Sequence, residues 1–239
     1  MLRFIKQRHL KSAALVGLLA LSSTYGSAME INIDQGNQAV HTFGDGKLLG
    51  QTGENKQLKS LLQELDGYQS GFEQIVRDTE GNVIHKAKGS MLFSQPGKFV
   101  WEVTEPEEEL LISNGKYVWW YNPFVEQVSI YDANSAVTTT PFALLVNDDP
   151  NVWKNFRIQT LEQGFVITPV DLDDAQVIQL ELKTDQSRSK IETILITSRS
   201  RQVSEYILFD QSKVSPTKQR FEFEIPIGVD IDDQRQSNN

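Results

Sequence analysis

The sequence contains no cysteine among its 239 residues. Disulfides, thiolate nucleophiles and thiolate metal sites are therefore excluded. A bacterial lipid anchor is excluded as well, because that anchor is built on a cysteine directly after the signal peptide. A domain that does without disulfides must be held together by an apolar core, and a chain of this length can bury one.

Catalytic residue types are also scarce. The three histidines are His9, His41 and His85, and the chain has neither a G-x-S-x-G nor an H-E-x-x-H motif. His85 follows a turn signal, where a solvated side chain is a better interpretation than a general base. The sequence therefore predicts a protein that is not an enzyme and that needs no metal and no cofactor.

The apolar run near the N-terminus is too short to span a bilayer. It extends from Ala13 to Leu21, whereas a membrane-spanning helix needs roughly 20 apolar residues. A basic leader precedes it and small residues follow it up to Ala28, an order that is typical of a secretory signal peptide. We predict that residues 1–28 are a cleaved signal peptide; the alternative is an uncleaved membrane anchor.

Removal of that leader would make the chain more acidic. The full chain has a net charge of −9, and residues 1–28 hold four of its 23 basic residues and none of its 32 acidic ones. Cleavage would leave 19 basic against 32 acidic residues, a net charge of −13. A surface of this sign repels phosphate backbones and anionic lipid headgroups. We therefore expect no nucleic-acid partner and no stable membrane anchoring.

The beginning of the mature chain differs in composition from the rest. Residues 29–55 carry five glycines and little apolar periodicity, which predicts a mostly disordered extension. Between residues 56 and 68 the leucines recur with helical spacing, and Gly67 is a typical end signal. The folded domain is therefore placed at residues 56–239.

From residue 71 onwards the apolar period changes to two. Turn signals such as Pro96-Gly97 and Asn114-Gly115 separate the alternating runs. The interruption at 141–156 is predicted to hold two short helices. The candidate strands are 71–77, 86–94, 99–104, 109–113, 116–121, 126–131, 156–161, 164–168, 176–183, 190–198, 203–209 and 220–225.

These elements predict a mainly β fold with a helical lid (α+β). A twisted sheet of this length tends to curl, so we expect an incomplete, half-closed antiparallel β-barrel of about eleven strands covered by about three short helices. Few helical residues are available to fill its inside, and such a barrel can leave an apolar cavity. The aromatic-rich stretch KYVWWYNPFVEQ fits either a concave site for an apolar ligand or a simple core.

Three stretches closely resemble the LolA family, the periplasmic carriers of outer-membrane lipoproteins. They are GSMLFSQPGKFVWEVTEPEEELLISNGKYVWWYNPFVEQ, TTTPFALL and FEFEIPIGVDIDDQR. The resemblance implies a monomeric periplasmic chaperone that shields lipoprotein acyl chains in an apolar cavity. It implies that cargo comes from the inner-membrane transporter LolCDE and passes to the outer-membrane receptor LolB. LolB is itself a lipoprotein, so the missing cysteine favours LolA.

The resemblance also implies positions for the cavity and the lid. Trp101 falls on the cavity-lining tryptophan of the family, and Phe99 falls on a phenylalanine implicated in exchange with the transporter. The lid helix matches residues 58–68, and a second lid segment matches 141–146. The predicted cavity residues are Trp101, Phe99, Val103, Leu92, Trp120 and Phe223. The predicted lid residues are Leu58, Leu62, Leu65, Phe142, Leu145 and Val146, for which ordinary helix-on-sheet packing is the alternative.

One position departs from the family pattern. Family members typically have an arginine before the proline of FSQPGKFVW, where it hydrogen-bonds lid carbonyls and latches the lid shut, but this chain has Gln95. A neutral amide makes weaker hydrogen bonds than a guanidinium, so we expect a looser latch or help from Lys98 or another base. A periplasmic lipid-sensing or regulatory module on the same fold is the alternative function.

Overall fold

The alternating pattern forms one continuous sheet in the computed structural model, which describes residues 48–52, 56–133, 145, 149–173 and 175–235. The described part has thirteen strands. They are β1 (Leu48–Thr52), β2 (Tyr68–Arg77), β3 (Val83–Ser94), β4 (Lys98–Glu105), β5 (Glu109–Asn114), β6 (Tyr117–Asn122), β7 (Gln127–Asp132), β8 (Phe156–Leu161), β9 (Gly164–Pro169), β10 (Val177–Thr184), β11 (Ile191–Ser198), β12 (Val203–Lys213) and β13 (Asp230–Asp233).

The sheet consists of two antiparallel meanders joined through β12 and β2. Its strand order is β1-β8-β9-β10-β11-β12-β2-β3-β4-β5-β6-β7-β13. Every pairing is antiparallel except that of β13 with β7. The sheet does not close on itself, since β1 and β13 are its free edges. The prediction of a mostly β fold with an open sheet and few helices is therefore confirmed.

Helical structure is short in the described residues. Helix α1 (Lys56–Gln63) precedes β2, helix α2 (Pro150–Trp153) precedes β8, and a 3-10 helix (Lys218–Phe221) follows β12. The Asp149 side chain caps α2 by accepting a hydrogen bond from the Asn151 N–H at 2.8 Å. Among the described residues, no helix has both the length and the apolar character needed to cross a bilayer.

Each side of the sheet carries an apolar cluster, and one cluster is much larger than the other. The strand register places Phe72, Trp101 and Tyr206 on one side, where they join a large cluster that also contains the leucines of α1. We call this side the concave face. The opposite side, the outer face, carries a separate cluster of Leu92, Val100, Ile112 and Phe221.

At both ends of the chain the described residues depart from the predicted elements. Part of the predicted disordered extension, Leu48–Thr52, is strand β1 and pairs with β8; residues 1–47 and 53–55 lie outside the described residues. The predicted strand at 220–225 is the end of the 3-10 helix followed by extended chain without a ladder partner. The predicted alternation of buried and exposed side chains is nevertheless present, because Phe221 is buried on the outer face while Glu222 is exposed.

Candidate functional site

Three aromatic rings from three strands meet on the concave face. Trp101 of β4 lies 4.8 Å from Phe72 of β2 and 5.0 Å from Tyr206 of β12, measured between ring centroids. The Phe72 and Tyr206 rings are 5.5 Å apart and nearly perpendicular. Tilted and edge-to-face arrangements are the favoured geometries for aromatic pairs. All three side chains are almost fully buried, so they form a rigid apolar floor.

A glycine on β3 makes room for that floor. Gly89 pairs with Phe72 across β2 and β3. A Cβ at position 89 would lie 2.6 Å from the end of the Phe72 ring and 2.0 Å from the carbonyl oxygen of Glu102. No side chain fits there without moving backbone, so glycine is required at this point of close approach.

One buried polar pair lies beside the aromatic floor. The Gln74 side-chain amide donates to the Tyr206 hydroxyl at 2.8 Å, and both residues are buried on the concave face. Burial raises the pKa of Tyr206 well above its ordinary value, so the phenol remains neutral. A paired, neutral polar group costs little inside an apolar site, whereas an unpaired one is expensive.

Helix α1 covers this floor with its apolar side. Its buried leucines belong to the same cluster as Trp101. They are Leu58, Leu61 and Leu62. Leu65, in the turn that follows α1, is buried in the same cluster. Leu145 and Trp153, from the connection between β7 and β8, are buried in that cluster too. The predicted lid residues Phe142 and Val146 lie outside the described residues.

The structure places four of the six predicted cavity residues at the concave face. Phe99, Trp101 and Val103 are buried there, and the half-buried Trp120 packs against the same cluster. Leu92 and Phe223 were placed wrongly, because both belong to the outer-face cluster. In β3 the concave-face residues are the flanking Met91 and Phe93.

The two corrections have simple physical reasons. Leu92 pairs with Val100, whereas Met91 pairs with Trp101, so adjacent residues of β3 face opposite sides of the sheet. Phe223 follows the 3-10 helix that packs across the outer side of β4 and β5. Its ring lies 5.4 Å from that of Tyr121.

Gln95 does contact the lid helix. Its side-chain amide donates to the carbonyl oxygen of Leu62 at 3.1 Å. The Asp66 carboxylate fixes the same turn from the lid side, since its Oδ1 accepts from the Gln95 backbone N–H at 3.0 Å and from the Ser94 hydroxyl at 3.1 Å. The β3–β4 turn, which contains a cis Gln95–Pro96 peptide bond, is thus attached to the C-terminal end of α1.

A lysine that the sequence did not identify also holds this end of the lid. Lys213, the last residue of β12, donates from Nζ to the carbonyl oxygen of Asp66 at 3.1 Å and lies 3.3 Å from Glu64 Oε2. Within the described part of the chain, no hydrogen bond or ion pair joins Lys98 to α1. The basic residue that contacts this end of α1 is therefore Lys213 and not Lys98.

The N-terminal end of α1 has its own attachment. The Arg188 guanidinium donates to Gln57 Oε1 at 3.3 Å and also to the carbonyl oxygens of Leu161 and Glu162, at 3.1 and 2.8 Å. Helix α1 is therefore fastened at both ends by polar side chains from distant parts of the chain, namely two turns and the end of β12. No local sequence motif predicts the roles of Asp66, Arg188 and Lys213, because each forms hydrogen bonds with a residue that is remote in sequence.

A separate cavity lies away from the aromatic floor and α1. It measures about 860 Å³ and is lined by residues that include Arg157, Leu195 and Glu205. These side chains alternate with concave-face residues such as Tyr206 along their strands, so the cavity belongs to the outer face. It does not include the aromatic floor or α1.

The chain matches the family model described as "Outer membrane lipoprotein carrier protein LolA" over residues 63–224. The outer-membrane lipoprotein carrier protein of Shewanella sediminis (strain HAW-EB3) is 35% identical over 186 residues, which cover 77% of this chain and 88% of the relative. The carrier protein of Proteus mirabilis (strain HI4320) is 35% identical over 178 residues, covering 74% and 87%.

Solved structures also align with the chain. A LolA superfamily protein from Nitrosomonas europaea aligns with a TM-score of 0.43 and 12% identity, over 70% of this chain and 97% of that one. An uncharacterized conserved protein from Thermus thermophilus aligns with a TM-score of 0.47 and 11% identity, over 74% and 98%.

Proposed function

Because this chain belongs to the LolA family of outer-membrane lipoprotein carrier proteins, we propose that it carries outer-membrane lipoproteins through the periplasm. In this proposal the acyl chains of the cargo lie on the concave face beneath α1. The family consists of carriers that are not enzymes, which confirms the prediction that the chain is not one.

One observation carries the proposal. Three leucines of α1, and Leu65 of the turn that follows, are buried on an aromatic floor, yet side-chain hydrogen bonds at the two ends of this segment fasten the helix to the sheet. Such a helix covers the face that acyl chains would need. Its release would expose a continuous apolar surface of the kind that binds hydrocarbon chains.

The energetics explain why a lid is useful. Each buried methylene contributes about 0.8 kcal/mol, so an acyl chain with about 15 of them gains roughly 12 kcal/mol on transfer from water. A carrier that recovered all of this free energy would not release its cargo. Separating the leucines of α1 from the aromatic floor costs free energy, which lowers the net affinity and keeps the cargo transferable.

The route of the cargo is the second part of the proposal. We infer that the chain accepts lipoproteins from LolCDE at the inner membrane and passes them, as a monomer, to LolB at the outer membrane. The absence of cysteine supports the soluble step of this route, because the chain offers no site for a cysteine-linked lipid anchor. Phe99, which is buried beside the lid, is the residue that we assign to the exchange with LolCDE.

The direct test uses spheroplasts that synthesise a labelled outer-membrane lipoprotein. Added mature protein should release the lipoprotein into the supernatant as a soluble complex of one carrier and one cargo molecule. A non-binding protein of similar charge serves as the control. Lipoprotein that stays in the membrane pellet would contradict the proposal.

A further inference from the structure

A small cavity lies at the margin of the lid. It measures about 200 Å³ and is formed between the C-terminal end of α1 and the neighbouring ends of β11 and β12. Leu61 of α1 and Leu65 of the following turn form its apolar wall, and polar side chains from β12 and from the start of β11 form much of the rest. Its principal lining residues are Leu61, Leu65, Tyr68, Lys190, Gln211 and Lys213.

Two buried polar atoms of these lining residues lack a hydrogen-bond partner in the described part of the chain. They are the Tyr68 hydroxyl and Oε1 of Gln211. The Gln211 amide is oriented by its other end, since Nε2 donates to the carbonyl oxygen of Ile191 at 2.8 Å. A buried polar group without a partner is costly, so the Tyr68 hydroxyl indicates a place where an acceptor atom of a ligand would restore a missing bond, whereas the Gln211 oxygen would require a donor.

The tyrosine is the better defined of the two groups. Its side chain is only 8% exposed, and Ser70, the polar residue nearest to it along the same face of β2, already donates its hydroxyl proton to the carbonyl oxygen of Phe209 at 2.9 Å. Burial raises the pKa of Tyr68 to about 12, although Ser70 opposes the shift. The phenol is therefore a hydrogen-bond donor throughout the physiological pH range.

The remaining polar side chains of the cavity come from two lysines, two serines and one glutamate. Lys213 and Lys190 contribute two ammonium groups, and Glu64 contributes one carboxylate, which is paired with Lys213 at 3.3 Å. A ligand group that suits these surroundings has acceptor oxygens and is joined to a hydrocarbon chain that can lie against the leucines. The ester or amide carbonyl that attaches an acyl chain to its carrier molecule has this chemistry.

We propose that the cavity is the subsite for the carbonyl groups at the head of the bound acyl chains, with the Tyr68 hydroxyl donating to one of them. This inference rests on the proposed function, because it assumes that the chains lie beneath α1. It also connects binding of the carbonyl group with opening of the lid. Lys213 lines the subsite and holds the lid, so an acceptor that competes for Lys213 weakens the closed state.

The test compares two probes that differ in one carbonyl group. They are palmitoyl-lysophosphatidylcholine, which has an ester-linked chain, and its hexadecyl ether analogue, both used below their micellar concentrations. Binding is followed by tryptophan fluorescence of the mature protein. The protein should bind the ester about fivefold more tightly than the ether, as expected for one hydrogen bond.

Tyr68→Phe should bind both probes with the affinity that the wild type has for the ether. The variant removes only an unpartnered hydroxyl, so its urea midpoint should not fall. Tyr117→Phe is the matched control, because that ring packs beside Trp119 at 6.0 Å on the outer face, and it should keep the fivefold ratio.

The outcomes separate this inference from the function on which it rests. Equal binding of ester and ether by the wild type, or an unchanged ratio in Tyr68→Phe, overturns the carbonyl subsite but leaves an acyl-chain carrier. Failure of the wild type to bind either probe, together with failure to release lipoprotein from spheroplasts, overturns both.

Discussion

Lys213 donates a hydrogen bond to the main-chain carbonyl of Asp66 at 3.1 Å, which fastens the last strand of the second meander to the turn that follows α1. The two residues are far apart in sequence and meet because β12 pairs with β2. Gln95 donates to Leu62 one turn earlier on the helix, also at 3.1 Å. A neutral amide and a separate lysine therefore hold the end of α1, where the resemblance to the LolA family implies a single arginine.

Gln95→Arg should tighten the lid. The guanidinium has more donors than the amide, and its charge strengthens each hydrogen bond to a carbonyl oxygen. We expect the free energy of unfolding of the empty protein to rise by about 1 kcal/mol and the uptake of a fluorescent acyl probe to slow. Gln69→Arg, at an exposed position of β2, is the matched control. If neither stability nor uptake changes, Gln95 is not part of a latch.

Lys213→Met should loosen the lid while keeping most of the apolar stem. We expect a loss of up to about 1 kcal/mol in stability and faster probe uptake, with both effects smaller at high salt. Lys88→Met is a close control, because Lys88 forms a similarly exposed ion pair with Glu73 at 3.5 Å on β2 and β3, away from α1. A similar change in uptake for the two variants would contradict a specific role of Lys213.

A covalent link between the lid and the β3–β4 turn should block cargo uptake. The chain has no cysteine, so Asp66→Cys combined with Ser94→Cys introduces the only thiols, at positions whose side chains lie in contact. We expect the oxidised protein, or the protein joined by a short thiol-reactive cross-linker, to bind no acyl probe. Reduction of the disulfide should restore binding in the same sample.

This experiment also separates the two interpretations of the α1 leucines. A helix that is permanently packed on the sheet would not need to move, so the cross-linked and the reduced protein would then bind the probe equally. The two single-cysteine variants show the effect of losing Asp66 or Ser94 without a link.

Trp101→Glu should reduce the affinity for acyl probes by at least tenfold. The substitution puts an unpaired charge on the apolar floor, which costs about 2 kcal/mol or more when the chains cover it. Trp119→Glu is the control, because Trp119 is half-buried and packs against the outer-face cluster. Near-ultraviolet circular dichroism should establish that both variants are folded. Equal binding by the two folded variants would place the acyl chains elsewhere.

Glu181→Gln should stabilise the protein at neutral pH but not in acid. Glu181 is 3% exposed on β10, and burial raises the pKa of its carboxyl, an effect that Lys183 partly opposes. A carboxyl whose folded-state pKa is raised favours the folded state only while it is protonated, and its stability contribution is lost as pH rises through that pKa. The difference in urea midpoint between variant and wild type should therefore be largest at pH 7 and vanish below about pH 4.

Glu205→Gln provides the comparison for that pH profile. Glu205 faces the outer side of β12 and is only half-buried, so this substitution should change the urea midpoint little at either pH. If Glu181→Gln still raised the urea midpoint below about pH 4, its stabilising effect would not come from ionisation of the buried carboxyl, contrary to the expected linkage.

The element types could be predicted from the sequence because they depend on local periodicity. The leucine spacing of α1 and the period of two in β2–β12 fix which residues share a side of each element. The strands at the two free edges, β1 and β13, were not predicted, because the prediction depended on local periodicity. Leu48–Thr52 and Asp230–Asp233 have little apolar alternation, and their strand structure comes from pairing with β8 and β7.

The face that each residue occupies depended on register as well as on period. Leu92 and Phe93 are both apolar, and only the pairing of β3 with β4 assigns Phe93 to the side of Trp101. Phe223 alternates like a strand residue, but the chain around it crosses the outer face without a ladder partner. Local sequence cannot distinguish these cases, because two apolar faces exist in one sheet.

The sequence by itself determined the fold class, the family and the apolar lid helix, since these follow from composition, motif and periodicity along the chain. The tertiary structure alone decided which side chains meet. It brought Lys213 and Arg188 to the ends of α1, put Gln95 against Leu62 and left the Tyr68 hydroxyl, beside a cavity, without a partner among the described residues. Hydrogen bonds and cavities depend on distances between residues remote in sequence, and only the pairing of strands sets those distances.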